Sequence, residues 1–142
     1  MIRQVMQHDA DRVAELLRRL WPGKRIEPEN VGEIIERYGE DPNYWIYGYE
    51  EDGVLLGIIT VSFRWTSFHQ GEVAIVEDLV VGETYRDKGI GSSLLKFVED
   101  KIISDSRAEA VEVDSDLHRA SAHRFWQRCG YSELAFQFRK EM

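Results

Sequence analysis

The stretch EDLVVGETYRDKGIG, residues 77–91, places two adjacent carboxylates, a run of branched apolar residues, a polar turn and a G-x-G pair in one continuous segment. Leu79, Val80 and Val81 have the composition of a strand that ends near Gly82. From Gly89 onward, Ile90, Leu94, Leu95, Val98 and Ile102 recur at helical spacing. A strand therefore runs through a glycine turn into an amphipathic helix. The start of such a helix offers unpaired backbone N–H groups and the positive end of the helix dipole, and residues without side chains let an anion reach them. Arg86 and Lys88 add positive charge at that point. A tight turn alone is the competing reading of Gly89 and Gly91. Two other phosphate loops are excluded by spacing: there is no G-x-x-x-x-G-K-S/T, and Leu94 stands where the dinucleotide fingerprint needs its last small residue.

Working outward, IRQVM (residues 2–6) reads as a short strand, and Asp9 stands at the N-cap position of a helix with Val13, Leu16, Leu17 and Leu20 on one face. Trp21-Pro22-Gly23 ends that helix. A second helix is expected from Glu29 to Tyr38, with Val31, Ile34 and Ile35 inward and Gly39 as its stop. The period then changes to that of strands. YWIYGYE and VLLGIITVSFRW are joined at Glu51-Asp52-Gly53, a hairpin signal, and VAIVEDLVV follows as a third strand. AVEV (110–113) is a further strand; Ala122, Phe125, Trp126 and Cys129 mark a last helix closed by Gly130, and a final strand is expected from Ser132 to Arg139. The order predicts one α/β domain spanning 1–142, with a mixed sheet flanked by helices.

Composition narrows the function classes. The 142 residues suffice for one core, in which roughly 70% of the unfolded chain's surface is buried. The net charge of −8 disfavours nucleic acid and favours cationic ligands. Cys129 is the single cysteine, so no internal disulfide or cysteine zinc site is expected, and His118 and His123 are spaced wrongly for a two-histidine ligand pair. No metal is expected. No apolar run approaches the roughly 20 residues that span a bilayer, and a cytoplasmic location is expected, without a membrane partner.

The remaining pattern, R-x-x-G-x-G preceded by LVV and followed by SSLLKFVE, resembles the acetyl-coenzyme A signature of the GNAT N-acetyltransferase superfamily. HRASAHRFWQRCGY (118–131), followed by FQFRK, is similar to the aminoalkylphosphonate N-acetyltransferases, and VEDLVV is similar to the polyamine N-acetyltransferases. The resemblance implies the fold of that superfamily, with two parallel strands splayed apart by a bulge near residues 77–80, the strand from Ala110 being the partner. It implies acetyl-CoA as cosubstrate. The diphosphate is then expected on the backbone of Arg86, Asp87, Lys88, Gly89, Ile90, Gly91 and Ser92, and the pantetheine arm beside Leu79, Val80 and Val81, with an oxyanion donor near Val80. An extended arm bearing amides is able to pair with an open strand edge.

An alkylamine with a pKa near 10.4 is protonated at neutral pH and must lose a proton before it attacks a thioester. Glu77 and Asp78 are the candidates to take it. Adjacent residues on a regular strand point to opposite faces, so one of the two is expected on any given side. The polyamine-enzyme resemblance favours Glu77 as the base, the phosphonate-enzyme resemblance Asp78. The bland alternative is a solvated pair of surface carboxylates. Where the family often has an acidic tyrosine, this chain has Trp126, whose indole donates hydrogen bonds but supplies no proton. Trp126 and Cys129 equally suit a core stripe. Arg119 and His123 share a side with Trp126 and fit either a pocket wall or solvated surface. The expected activity is acetyl transfer from acetyl-CoA to the primary amine of a small molecule within a ternary complex. A protein amine acceptor and an acetyl-CoA sensor without turnover are the alternatives. The aromatic-rich segment from Tyr44 to Phe68 suggests a homodimer.

Overall fold

A computed structural model describes residues 1–116 and 119–142; His118, one of the two histidines considered above, lies outside the described residues. The strands are β1 (Ile2–Gln4), β2 (Tyr44–Glu51), β3 (Val54–Thr66), β4 (Gly71–Val81) and β5 (Val111–Val113), and the helices α1 (Ala10–Leu20), α2 (Pro28–Glu40), α3 (Ile90–Ser104) and α4 (Ala120–Arg128). They form one five-stranded sheet in the order β1-β2-β3-β4-β5. All neighbouring pairs are antiparallel except β4 and β5, which run parallel.

Side-chain alternation explains the two-layer packing. On one face, Ile46, Ile58 and Val80 meet Val13 and Leu16 of α1 and Val31 and Ile35 of α2. On the other, Ile59, Val61 and Val76 meet Leu94, Leu95 and Val98 of α3 and Trp126 of α4. Burial of each such side chain is worth roughly 1.5–3 kcal/mol. The β2–β3 turn has Asp52 and Gly53 both at positive φ, 51° and 77°, as a two-residue hairpin twisted with its strands requires.

Several expectations are corrected. Asp9 precedes α1 but does not cap it: its carboxylate accepts from Arg3 at 2.8 and 2.9 Å and from the Met6 N–H at 2.8 Å, so the tie to β1 outcompetes the cap. α2 runs through Gly39 to Glu40, and Ile34 is exposed rather than inward, because Val31 and Ile35 already define its packed face. The strand expected over Ser132–Arg139 does not form. Residues 131–142 hold no regular element, and Leu134, Phe136 and Phe138 stay exposed. Their period of two is that of a strand, but strand structure needs a hydrogen-bonded ladder, and β5 offers only three residues to pair with. β5 therefore forms the sheet edge.

Candidate active site

The register of β4 creates the site. Against β3, Thr60 pairs with Asp78 and Val61 with Val76, which leaves Glu77 as an extra residue, a β-bulge at the start of the 77–80 window where the resemblance placed it. Against β5, β4 pairs only over Ala74–Val76, so the pairing ends where the bulge begins. Before the bulge, the N–H of Ala74 and the carbonyl of Glu72 face β5, bonding Ala110 at 3.0 Å and Glu109 at 3.1 Å. After it, the Gly82 N–H donates to Leu56 O at 2.8 Å, which fixes the phase of the antiparallel ladder: Leu79 and Val81 turn their backbone groups away from β3, and Val80 turns its own toward β3. The bare N–H groups are thus those of Leu79 and Val81, and not that of Val80 itself.

The same bulge corrects the expectation that the two carboxylates face opposite sides. Ser62 Oγ donates to Glu77 Oε1 at 2.6 Å, and Thr60 Oγ1 donates to Asp78 Oδ2 at 2.7 Å. Thr60 and Ser62 are two apart on β3 and share a face, so Glu77 and Asp78 share it too. Glu77 is exposed and Asp78 half-buried. Burial pushes the Asp78 carboxyl above the ordinary range; the Thr60 bond opposes this, and Glu77 adds to it. Tyr38 of α2, stacked on Tyr44 with ring centroids 4.6 Å apart, feels the same field: its hydroxyl is pushed up to about 12, by burial first and then by Asp78 and Glu77. It stays protonated at neutral pH.

Two clefts lie along this strand. One, of about 280 Å³, adjoins the bulge and is lined by Ser62, Arg64, Ile75, Glu77, Glu112, Val113, Asp114 and Gln137. The other, of about 350 Å³, lies between α1 and the segment after β4, with Arg12, Arg19, Gly82 and Tyr85 in its wall. Acidic groups dominate the first. Two arginines, Arg12 and Arg19, and two glutamates, Glu15 and Glu83, line the second.

Beyond β4 a short 3-10 turn, Glu83–Tyr85, leads through Arg86, Asp87 and Lys88 to Gly89. Gly89 has φ +79°, a conformation strained for any residue with a Cβ, and it precedes α3 without a side-chain cap. The first N–H groups of α3, from Ile90 to Ser92, therefore have neither a helical acceptor nor a cap. Arg86 and Lys88 are exposed, Lys88 lying 5.7 Å from the Tyr85 ring centroid, and neither joins an ion pair among the described residues. A Cβ on Gly91 would meet Phe125 and Val81 at an ordinary 3.8 Å, so packing does not demand glycine there. Bare donors, free cations and an uncovered glycine together fit a diphosphate.

The α4 residues are less engaged. Trp126 is buried in the core between Phe125 and Tyr131, and the Tyr131 hydroxyl donates to Glu99 at 2.9 Å. Cys129 is half-buried, and burial pushes its thiol up, which removes it as a nucleophile. Arg119 stands at the N-cap of α4, and His123 Nε2 lies 2.7 Å from the Asp116 carbonyl. Thr60, Ser62, Tyr38, Arg64 and Glu112 were not singled out in the sequence. Only strand register brings them to the carboxylates, and no local motif carries register.

The sequence model of the Acetyltransferase (GNAT) family matches residues 10–131, and the chain belongs to that family, whose members are acetyl-CoA-dependent acyltransferases. The chain is 30% identical over 102 residues to the aminoalkylphosphonate N-acetyltransferase of Salmonella typhimurium, covering 72% of this chain and 66% of that one. It is 31% identical over 124 residues to the S-alkylcysteine N-acetyltransferase of Bacillus subtilis, covering 85% and 66%. The matches thus span about two thirds of the length of these relatives. Among solved structures, glucosamine-6-phosphate N-acetyltransferase from Arabidopsis thaliana shares the fold with a TM-score of 0.82 at 23% identity, over 99% of this chain and 97% of that one. A protein described as a transcriptional regulator from Bacillus halodurans shares it with a TM-score of 0.90 at 18% identity, over 100% and 99%. Among the described residues no helix is long and apolar enough to cross a membrane, and no group of three or more histidine, cysteine or acidic side chains is placed to hold a metal ion.

Proposed function

We propose that this chain is an N-acetyltransferase that moves acetyl from acetyl-CoA to the primary amine of a small molecule by direct attack in a ternary complex. The observation that carries the reading is the bulge at Glu77, which turns two carboxylates onto one face at the point where β4 loses its parallel partner. The backbone from Arg86 to Ser92 receives the diphosphate, with Arg86 and Lys88 as its cations, and the open edge of Leu79 and Val81 pairs with the pantetheine amides. An acetyl thioester held along that edge has its reacting carbon near the bulge.

Glu77 lines the acceptor cleft and takes the proton of the incoming ammonium, a contribution worth roughly 10²- to 10⁴-fold. Asp78 behind it sustains the negative field. The edge N–H of Leu79 is the donor for charge developing on the carbonyl oxygen. The departing thiol has a pKa near 8.5, so the thiolate leaves without a side-chain acid, consistent with the burial of Trp126. The acceptor is a small amine that also carries an acid group, as the names of both relatives describe for their own substrates. Arg64, only 3.9 Å from Glu112 and mostly exposed, is the cation available to that acid group.

Acetyl-CoA and a panel of amino acids, aminoalkylphosphonates, diamines and simple monoamines, followed by free thiol release, test this. Turnover with the zwitterionic amines is expected. Tight coenzyme A binding without turnover on any amine contradicts it in favour of a sensor. We further propose a homodimer, supported by exposed Trp65 at the end of β3, by Phe68 just after it and by Phe136 and Phe138, since their neighbours Arg64 and Gln137 line one cleft.

A further inference from the structure

Arg19 has no assigned part in the site described above. It lies on α1, seven residues from Arg12, and both line the cleft beside the end of β4. The two guanidinium groups differ in their commitments. Arg12 is held by Leu55 O at 2.8 Å and by Glu15 at 2.9 Å. Arg19 makes one described hydrogen bond, Nη1 to Val81 O at the long distance of 3.3 Å, and no ion pair among the described residues. A half-buried guanidinium with five donors and one weak contact has most of its hydrogen-bonding capacity unused.

The position of that contact matters. Val81 O is the last carbonyl of the open β4 edge, and five residues on begins the loop of Arg86 to Ser92. Arg19 thus stands where the strand edge passes into the anion loop, and it occupies a backbone acceptor that an extended amide arm also needs. We propose that Arg19 is a further binding residue for coenzyme A: its guanidinium leaves the Val81 carbonyl for a phosphate of the cofactor while the arm takes up the strand edge. This rests on the reading of residues 79–92 as the cofactor site. Guanidinium remains charged at any working pH and meets phosphate through two parallel N–H bonds, which an ammonium cannot reproduce.

Calorimetry on the unliganded chain tests it with two probes, coenzyme A and pantetheine, the second having the arm but no phosphates. Arg19→Gln is expected to weaken coenzyme A binding by about 10-fold or more, as loss of a charge-assisted contact does, and not to weaken pantetheine binding, since it frees the Val81 carbonyl for the arm. Arg19→Lys is expected to recover part of the loss. Unchanged coenzyme A affinity in Arg19→Gln, or an equal loss for both probes, overturns the proposal, the second outcome marking Arg19 as a support for the edge. If the parent chain bound pantetheine as tightly as coenzyme A, the phosphate loop itself would be refuted, and Arg86→Ala with Lys88→Ala would then be silent as well.

Discussion

At the scale of single residues, the pair Glu77 and Asp78 divides its labour by environment. Both carry a hydroxyl donor from β3, yet only Asp78 is drawn into the face covered by α2, and burial raises its proton affinity. A carboxyl with a folded pKa above its unfolded value contributes stability below the unfolded value, and that contribution is lost as pH rises through the folded one. Asp78 therefore opposes folding at neutral pH. Asp78→Asn, which keeps an oxygen for Thr60, is expected to be more stable than the parent at pH 7 and to lose that advantage as the pH falls below the ordinary carboxylate range. Urea denaturation at several pH values measures the difference; a gap that stays constant or widens toward acid contradicts the placement of Asp78. Arg3 and Asp9 behave oppositely, since the Arg3 bond holds the Asp9 carboxyl below its ordinary range and so favours folding above it.

At the scale of elements, β3 and β4 approach closely at Gly57. A Cβ there would lie 2.9 Å from the Val80 carbonyl oxygen, a backbone atom, and 3.4 Å from Ile90 of α3. Gly57→Ala is expected to cost about 1–3 kcal/mol, as overpacking does, read as a lower denaturation midpoint; an unchanged midpoint would show that the strands have room to spare. Most elements were legible because their periods are strong: the apolar spacing of α3, the Asp-Gly hairpin and the strand-to-glycine-to-helix passage each encode local geometry. The strand at Ser132–Arg139 had an equally clear period and does not form, since alternation states which side chains share a face without supplying a ladder partner. The bulge was legible as a zone through resemblance alone. Its consequence, both carboxylates on one face, depends on pairing with Thr60 and Ser62, which lie 15 to 18 residues away in sequence.

At the scale of the whole molecule, the net charge of −8 is unevenly used along β4. Glu77, Glu112 and Asp114 gather at the bulged end, an acidic approach for an amine, whereas toward the other end Arg12, Arg19, Arg86 and Lys88 are interspersed with Glu15, Glu83 and Asp87. The aromatic segment that first suggested a dimer is largely accounted for within the chain: Trp45 and Phe63 meet edge to face with ring centroids 4.6 Å apart, and Tyr47 meets Phe97. What remains is Trp65, 76% exposed, and Phe68, 88% exposed. Light scattering is expected to give twice the mass of one chain, and Trp65→Ser with Phe68→Ser to return it to a single chain's mass; a parent chain already at the single mass contradicts the dimer. The most direct test of the central claim is thiol release from acetyl-CoA with the best acceptor, comparing the parent with Glu77→Gln and with Glu77→Gln/Asp78→Asn while coenzyme A affinity is followed by calorimetry. The bulged carboxylates predict a fall in turnover of roughly 10²-fold or more in both variants at unchanged affinity; turnover equal to the parent's in the double variant would contradict it.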